Sequence, residues 1–139
     1  MYDIDYDRLA EARKVKLALF GIGGMKQGGK TYQNLLTTGR DKGEIMKLEE
    51  DGVIGDICFQ LFDKIGKPYR PNSLDIGVPL LKLRELYQSG EGRVIAVAEG
   101  GLKAPAVYAA LQGGGEGAFF DTLIGDESLF GSIINLSKQ

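Results

Sequence analysis

The sequence predicts an α/β domain built on a largely parallel sheet. Three observations carry that expectation. Val15 to Phe20 reads as a buried strand, and Val94 to Ala98 is a short continuous apolar run of the kind found in strands covered on both faces. Segments with helical spacing lie between them, and glycines stand where the runs end. At 139 residues the chain is long enough for one shared core and too short for two. No long linker and no fixed-period repeat interrupts it.

Each element follows from its local pattern. The acidic opening, residues 1–14, reads as a lead-in, and residues 15–139 form the domain itself. Val15 to Phe20 is the first strand, ending at Gly21 in a turn where five glycines fall within Gly21 to Gly29. Thr31 to Leu36 begins a helix that stops near Gly39. Asp41 with Glu44 three residues later has the form of a capping box, in which each side chain satisfies the other residue's backbone amide. Ile45, Met46 and Leu48 give that second helix an apolar face, and Gly52 ends it. Val53 to Phe62 is apolar enough for one strand. Asp63-Lys64-Ile65-Gly66 then turns the chain back through Lys67 to Tyr69, at an edge because Pro68 and Pro71 lack an amide hydrogen.

Leu80 to Tyr87 returns to helical spacing, and Val94 to Ala98 is a strand between Gly92 and Gly100-Gly101. Ala104 to Leu111 is a helix that tolerates Pro105 only in its first turn. Phe119 to Ile124 is the last strand, and Asp126 caps a closing helix whose Leu129, Phe130, Ile133 and Ile134 face inward. Phe59, Phe62, Phe119 and Phe120 are expected in the core or on the sheet, and Glu49, Glu50 and Asp51 at a solvated helix end.

Composition narrows the function. Hydrophobic residues at 43% and charged residues at 26% match a folded globular chain. With a formal charge of −2 and no basic cluster, direct nucleic-acid binding is not expected. No apolar run approaches the roughly 20 residues of a membrane helix, so no membrane partner is expected. The single Cys58, with no ligand cluster at zinc spacing, fits a reducing cytoplasm, and neither a metal nor a cofactor is expected. The absence of histidine excludes Ser-His-Asp and Cys-His nucleophile systems.

In sheets of this type ligands bind beyond the carboxyl ends of strands. Gly21 and Gly23 stand at one such end and Gly100-Gly101 at another. Lys103 follows in the first turn of a helix, where its ammonium and the helix amides together suit an anion; a solvated surface lysine would share that pattern. Asp56, inside an apolar stretch, needs partners for its charge, either sugar hydroxyls or a turn amide. A competing site overlaps the first turn: Gly24 to Thr31 spells the phosphate-binding loop G-x-x-x-x-G-K-[ST]. There, Gly24 and Gly29 would shape the loop, Lys30 would reach the outer phosphates and Thr31 would hold magnesium. Against it, no strand ends in the aspartate that completes such a magnesium site, and the nearest acid is Glu99.

The ordered blocks are Gly21-Ile22-Gly23, Gly55-Asp56-Ile57-Cys58 with Phe62-Asp63 and Gly66, Ile76-Gly77, Gly100-Gly101-Leu102-Lys103, and Asp121-Thr122-Leu123-Ile124 with Asp126-Glu127. From about Val15 onward they resemble the C-terminal part of the sugar-binding effector domain of SorC/DeoR-type bacterial transcription regulators. The resemblance implies a fold like glucosamine-6-phosphate deaminase and ribose-5-phosphate isomerase, the NagB/RpiA-like fold. It also implies a phosphorylated sugar or related small metabolite as effector, bound without turnover. On this reading Gly21, Gly23, Asp56, Gly100, Gly101 and Lys103 form the site, with Asp56 on hydroxyls and Lys103 on the anionic group.

Family members carry a helix-turn-helix and the first strands of the effector domain before this point. The chain is therefore expected to be incomplete at its N-terminus, and to act as a homo-oligomer or with a partner chain. Two positions depart from the family: Glu99 is an acid where a glycine is usual, and Gly125 stands where a hydroxyl residue is common. The alternatives are a nucleotide-binding protein, a relict sugar-phosphate isomerase, and a gene fragment without a function of its own.

Overall fold

The computed structural model describes residues 14–25, 33, 41–69 and 78–139. Their elements are β1 (Leu17–Gly24), α1 (Lys42–Glu50), β2 (Val53–Ile57), β3 (Gln60–Asp63), α2 (Leu80–Gln88), β4 (Arg93–Ala98), α3 (Ala104–Gln112), β5 (Thr122–Gly125) and α4 (Glu127–Leu136). The strands form one sheet in the order β3-β2-β1-β4-β5. Apart from Lys14 and Gln33, the opening segment, the helix expected over Thr31 to Leu36, Pro71 and the Ile76-Gly77 pair lie outside the described residues.

Alternation along β1 sets which side becomes the core. Phe20 and Ile22 point to the buried face, and Leu17, Leu19 and Gly21 to the other. β1 does not end at Gly21 but runs on to Gly24. β2 pairs along that stretch, with Ile22 opposite Ile57, Gly23 opposite Asp56 and Gly24 opposite Gly55. The β1–β4 and β4–β5 pairs are parallel, whereas β1–β2 and β2–β3 are antiparallel, so the sheet is mixed and not largely parallel.

The difference arises in the segment expected as one strand over Val53 to Phe62. It folds as a hairpin whose two-residue turn is Cys58-Phe59, with φ of 50° and 63°. Turns of this kind favour Asn-Gly, because both central residues are left-handed, and Cys-Phe carries no such signal. The Asp56 carboxylate offsets part of the strain by accepting the Phe59 amide at 3.0 Å. Phe59 is consequently 45% exposed, not packed on the sheet. The second turn is where the sequence placed it: Asp63 Oδ1 accepts the amides of Ile65 (3.0 Å) and Lys67 (2.9 Å), and Pro68 bridges to Phe62 at the sheet edge.

The capping box of α1 is present, with the Glu44 amide donating to Asp41 Oδ1 at 2.7 Å and the Asp41 amide donating to Glu44 Oε2 at 3.3 Å. Ile45 and Leu48 are buried with Met25 and Val53 in a small second cluster. Met46, one residue (about 100°) round the helix from Ile45, is exposed instead of joining the apolar face. Asp51 ends this helix, as expected, in solvent, where the Tyr69 hydroxyl donates to it.

Most of the core lies between the sheet and α2, α3 and α4. The small side chains of α3 let it approach closely: a Cβ added at Gly55 would lie 2.8 Å from Ala106 Cβ and from the Phe62 ring, and 2.6 Å from the Gly23 carbonyl. β5 begins later than expected. Phe119 and Phe120 precede it and plug the core from the loop, Phe120 edge-on to Phe20 (6.5 Å) and Phe119 beside Phe62 (6.2 Å). In α4, Leu129 is buried and Ile133 half-buried, but Phe130 and Ile134 face outward, so the helix meets the core along a narrower stripe than its sequence suggests.

Arg84 is a buried charge within this core. Its guanidinium lies 5.0 Å over the Phe119 ring, donates to the Gly113 carbonyl at 2.6 Å and pairs with Glu116 at 2.7 Å. It thereby ties α2 to the glycine segment that ends α3.

Candidate functional site

β1 and β4 are parallel neighbours, with Gly21 opposite Val97, so their carboxyl ends emerge side by side. Asp56 lies across from Gly23 on β2. After β4, Gly100 adopts φ 87° and ψ 141°, a backbone conformation that favours glycine, and a single 3-10 turn (Gly101–Lys103) leads into α3. The Lys103 amide closes that turn on the Gly100 carbonyl at 3.1 Å. Topology thus brings all six residues singled out in the sequence, Gly21, Gly23, Asp56, Gly100, Gly101 and Lys103, to one end of the sheet.

The turn is fixed from outside by the start of α4. Asp126 Oδ1 accepts the Gly100 amide at 3.0 Å and the Leu129 amide at 2.9 Å, and Ser128 Oγ accepts the Gly101 amide at 3.2 Å. The Gly100 hydrogen bond, and after it the Leu129 bond, hold the Asp126 carboxyl below the usual carboxylate range. A Cβ at Gly101 would lie 2.6 Å from Ser132 Oγ, so the turn seats closely on α4 and a larger residue there would have to displace that hydroxyl. Capping of α4 by Asp126 was legible in the sequence. Its hold on Gly100, and the part played by Ser128, were not, because these contacts join residues 26 and 27 positions apart.

Gly21 differs from these glycines. A Cβ there would meet nothing closer than the Val97 carbonyl at 3.9 Å, an ordinary contact, so packing does not demand glycine. Lys103 is half-exposed and makes no ion pair with a described residue. Asp56 is half-buried and holds the hairpin amide described above, so a turn amide accounts for one of its oxygens. Gly125, which departs from the family's usual hydroxyl, has a packing reason: a Cβ there would lie 2.6 Å from Leu129 Cδ2 and 3.1 Å from the Ala98 carbonyl.

The most perturbed carboxylate lies at the other end of the sheet. Burial pushes Asp121 up, but hydrogen bonds from Arg93, the Thr122 hydroxyl and the Val94 amide, with the Arg93 charge, outweigh it and hold its pKa at about 2. These bonds fasten β5 to β4, and the residue belongs to the scaffold.

The phosphate-loop alternative finds no support. Gly24 is part of β1, and Met25 is buried with its amide donated to the Ile54 carbonyl at 2.9 Å, so the loop's first amide is committed to the sheet. Gly29, Lys30 and Thr31 lie outside the described residues. Among the described residues there is no cluster of His, Cys, Asp and Glu that could hold a metal ion, and no helix is long and apolar enough to cross a membrane.

Comparison with known proteins agrees with the fold. The family model described as "Putative sugar-binding domain" matches residues 7–135. Among solved structures, a transcriptional regulator from Streptococcus pneumoniae is 20% identical with a TM-score of 0.78, over 96% of this chain and 48% of that one. The "Putative sugar-binding domain of transcriptional regulator DeoR" from Pseudomonas syringae is 28% identical (TM-score 0.59), over 91% of this chain and 43% of that one. The full-length sorbitol operon regulator SorC from Klebsiella pneumoniae is 21% identical (TM-score 0.70), over 94% and 40%. The chain thus spans about half or less of the length of these structures. A search of curated proteins gave no match. With the family model covering nearly all of it, the chain belongs to the sugar-binding domain family, and its fold is similar to that of part of the solved SorC- and DeoR-type transcriptional regulators.

Proposed function

We propose that the chain binds a phosphorylated sugar or a related anionic metabolite at the carboxyl end of β1 and β4, and that it does so as an effector-sensing module without turning the ligand over. The observation that carries this reading is the position of Lys103. It opens α3 directly after a glycine turn that Asp126 and Ser128 hold in place. A cation at a helix start adds a charge-assisted bond to a place where backbone amides already favour an anion. Gly21 and Gly23 keep the neighbouring strand end bare for close approach of the ligand. Asp56 accepts sugar hydroxyls while keeping its turn amide, since a carboxylate has room for about four such bonds.

The likeness to the sugar-phosphate deaminase and isomerase fold belongs to this reading, as do assembly into an oligomer and action in the cytoplasm beside the operator. In this account residues 15–139 form part of a larger effector domain. A thermal-shift panel of pentose and hexose phosphates tests it: stabilisation by at least one phosphorylated sugar, and by none of the unphosphorylated ones to the same degree, is expected.

A further inference from the structure

Glu99 stands between the end of β4 and the Gly100 turn. It is exposed, and no described residue hydrogen-bonds to it or pairs with it, so its carboxylate is not committed to the scaffold as those of Asp121 and Asp126 are. Strand alternation fixes its side of the sheet. Ala96 and Ala98 are buried and Val97 is exposed, so Glu99 follows Val97 on the face turned away from the core. Val97 lies beside Gly21 in the parallel β1–β4 pair, and two residues further along the two strands stand Glu99 and Gly23. Asp56 is the partner of Gly23 on its other side. Asp56, Gly23 and Glu99 therefore form a row across the carboxyl end of the sheet, with roughly 10 Å between the Cα atoms of the two acids. Gly23 has no side chain, so the floor between them is backbone.

A carboxylate in such a row acts on a ligand in two ways. It accepts the protons of hydroxyl groups, and it raises the energy of any second anion brought against it. We infer that Glu99 is a specificity-determining residue of this site: together with Asp56 it accepts hydroxyls at the uncharged end of the ligand, and its charge restricts the site to ligands with one anionic group. The inference rests on the placement of that group at Lys103 proposed above. Lys103 follows Glu99 by four residues, and the turn closed by the Lys103 amide on the Gly100 carbonyl folds the chain between them. A phosphate held at Lys103 thus leaves the hydroxyl-bearing carbons to extend over Gly23. A second phosphate on those carbons would fall against Glu99 and Asp56. The accepted class is monophosphates of neutral sugars, and the excluded class is sugar bisphosphates.

The test titrates glucose 6-phosphate, fructose 6-phosphate and ribose 5-phosphate, each beside its bisphosphate counterpart, into the parent, Glu99→Gln and Glu116→Gln by calorimetry. The amide of Glu99→Gln keeps an acceptor oxygen and removes the charge. In the parent, the monophosphate should bind at least about tenfold more tightly than the matching bisphosphate. Glu99→Gln should narrow that preference to within about threefold, through tighter bisphosphate binding. Glu116→Gln makes the same change in net charge at the opposite end of α3, on an exposed side chain, and should keep the parent's preference. A preference unchanged in Glu99→Gln, lost equally in Glu116→Gln, or absent from the parent overturns the inference while leaving sugar-phosphate binding in place. Binding of none of the six compounds by any of the three proteins overturns the proposed site and this inference together.

Discussion

One oxygen of Asp126 accepts both the Gly100 amide, at 3.0 Å, and the Leu129 amide, at 2.9 Å, so the residue that starts the last helix also sets the turn in front of Lys103. Removing it should have two separable effects. Asp126→Ala loses the cap, at a cost of about 1 kcal/mol in urea unfolding, and loosens the Gly100 turn, so that sugar-phosphate affinity falls as well. Asp126→Asn keeps an acceptor oxygen and should retain most of both. Equal binding by Asp126→Ala and the parent would disconnect the turn from the site.

Gly21, proposed to border the ligand, and Gly55, fixed by packing, should respond differently to an added methyl group. Because a Cβ there has space, Gly21→Ala should fold with a melting temperature close to that of the parent yet bind sugar phosphates less well. Gly55→Ala, whose Cβ would be forced against the Gly23 carbonyl, Ala106 and Phe62, should lose roughly 1 to 3 kcal/mol of stability. Thermal melts and ligand titrations of the two variants distinguish these outcomes.

Acid should weaken the scaffold at the opposite end of the sheet. The Asp121 pKa is depressed to about 2, so its contribution is complete above the ordinary aspartate value of about 3.9 and is lost as the pH falls through 2. With the side chain 16% exposed, that contribution is on the order of 1 to 2 kcal/mol. Asp126, also depressed, titrates in the same direction. Unfolding measured from pH 5 down to pH 2 should show the loss, and Asp121→Asn should flatten the part due to Asp121.

Arg84 and Glu116 make an unequal pair. Arg84 is buried, so Arg84→Ala removes ring packing and strands the Gly113 carbonyl, at a cost of roughly 2 to 4 kcal/mol. Glu116 has a side chain 74% exposed, and Glu116→Gln should cost less than about 1 kcal/mol because water replaces the pair. Ligand affinity should not change in Glu116→Gln, since the contact lies at the opposite end of α3 from Lys103. Denaturant melts compare the two variants.

Sequence patterns disclosed the elements whose signals are local. The Asp41-Glu44 capping box, the Gly52 stop, the Pro105 helix start and the Asp126 cap are each written within four residues of their target. What the sequence concealed depends on partners distant along the chain. Cys58-Phe59 gave no turn signal, because its left-handed backbone is held by Asp56 and by the pairing of β2 with β3. Continuation of β1 through Gly24 depended on that same hairpin, since the glycines alone read as a turn. At the site, the glycine ends and Lys103 were legible as residue types after strands, but the Asp126 and Ser128 bonds that fix them were not.

The central claim rests on Lys103 and is tested by titrating the protein with the sugar phosphate that most stabilises it, alongside Lys103→Ala, by calorimetry. A charge-assisted bond to the anionic group is worth roughly 1.5 to 3 kcal/mol, so the variant should bind about tenfold to a hundredfold more weakly while its melting temperature without ligand stays that of the parent. Binding unchanged in Lys103→Ala, or no binding of any sugar phosphate by the parent, would contradict the account.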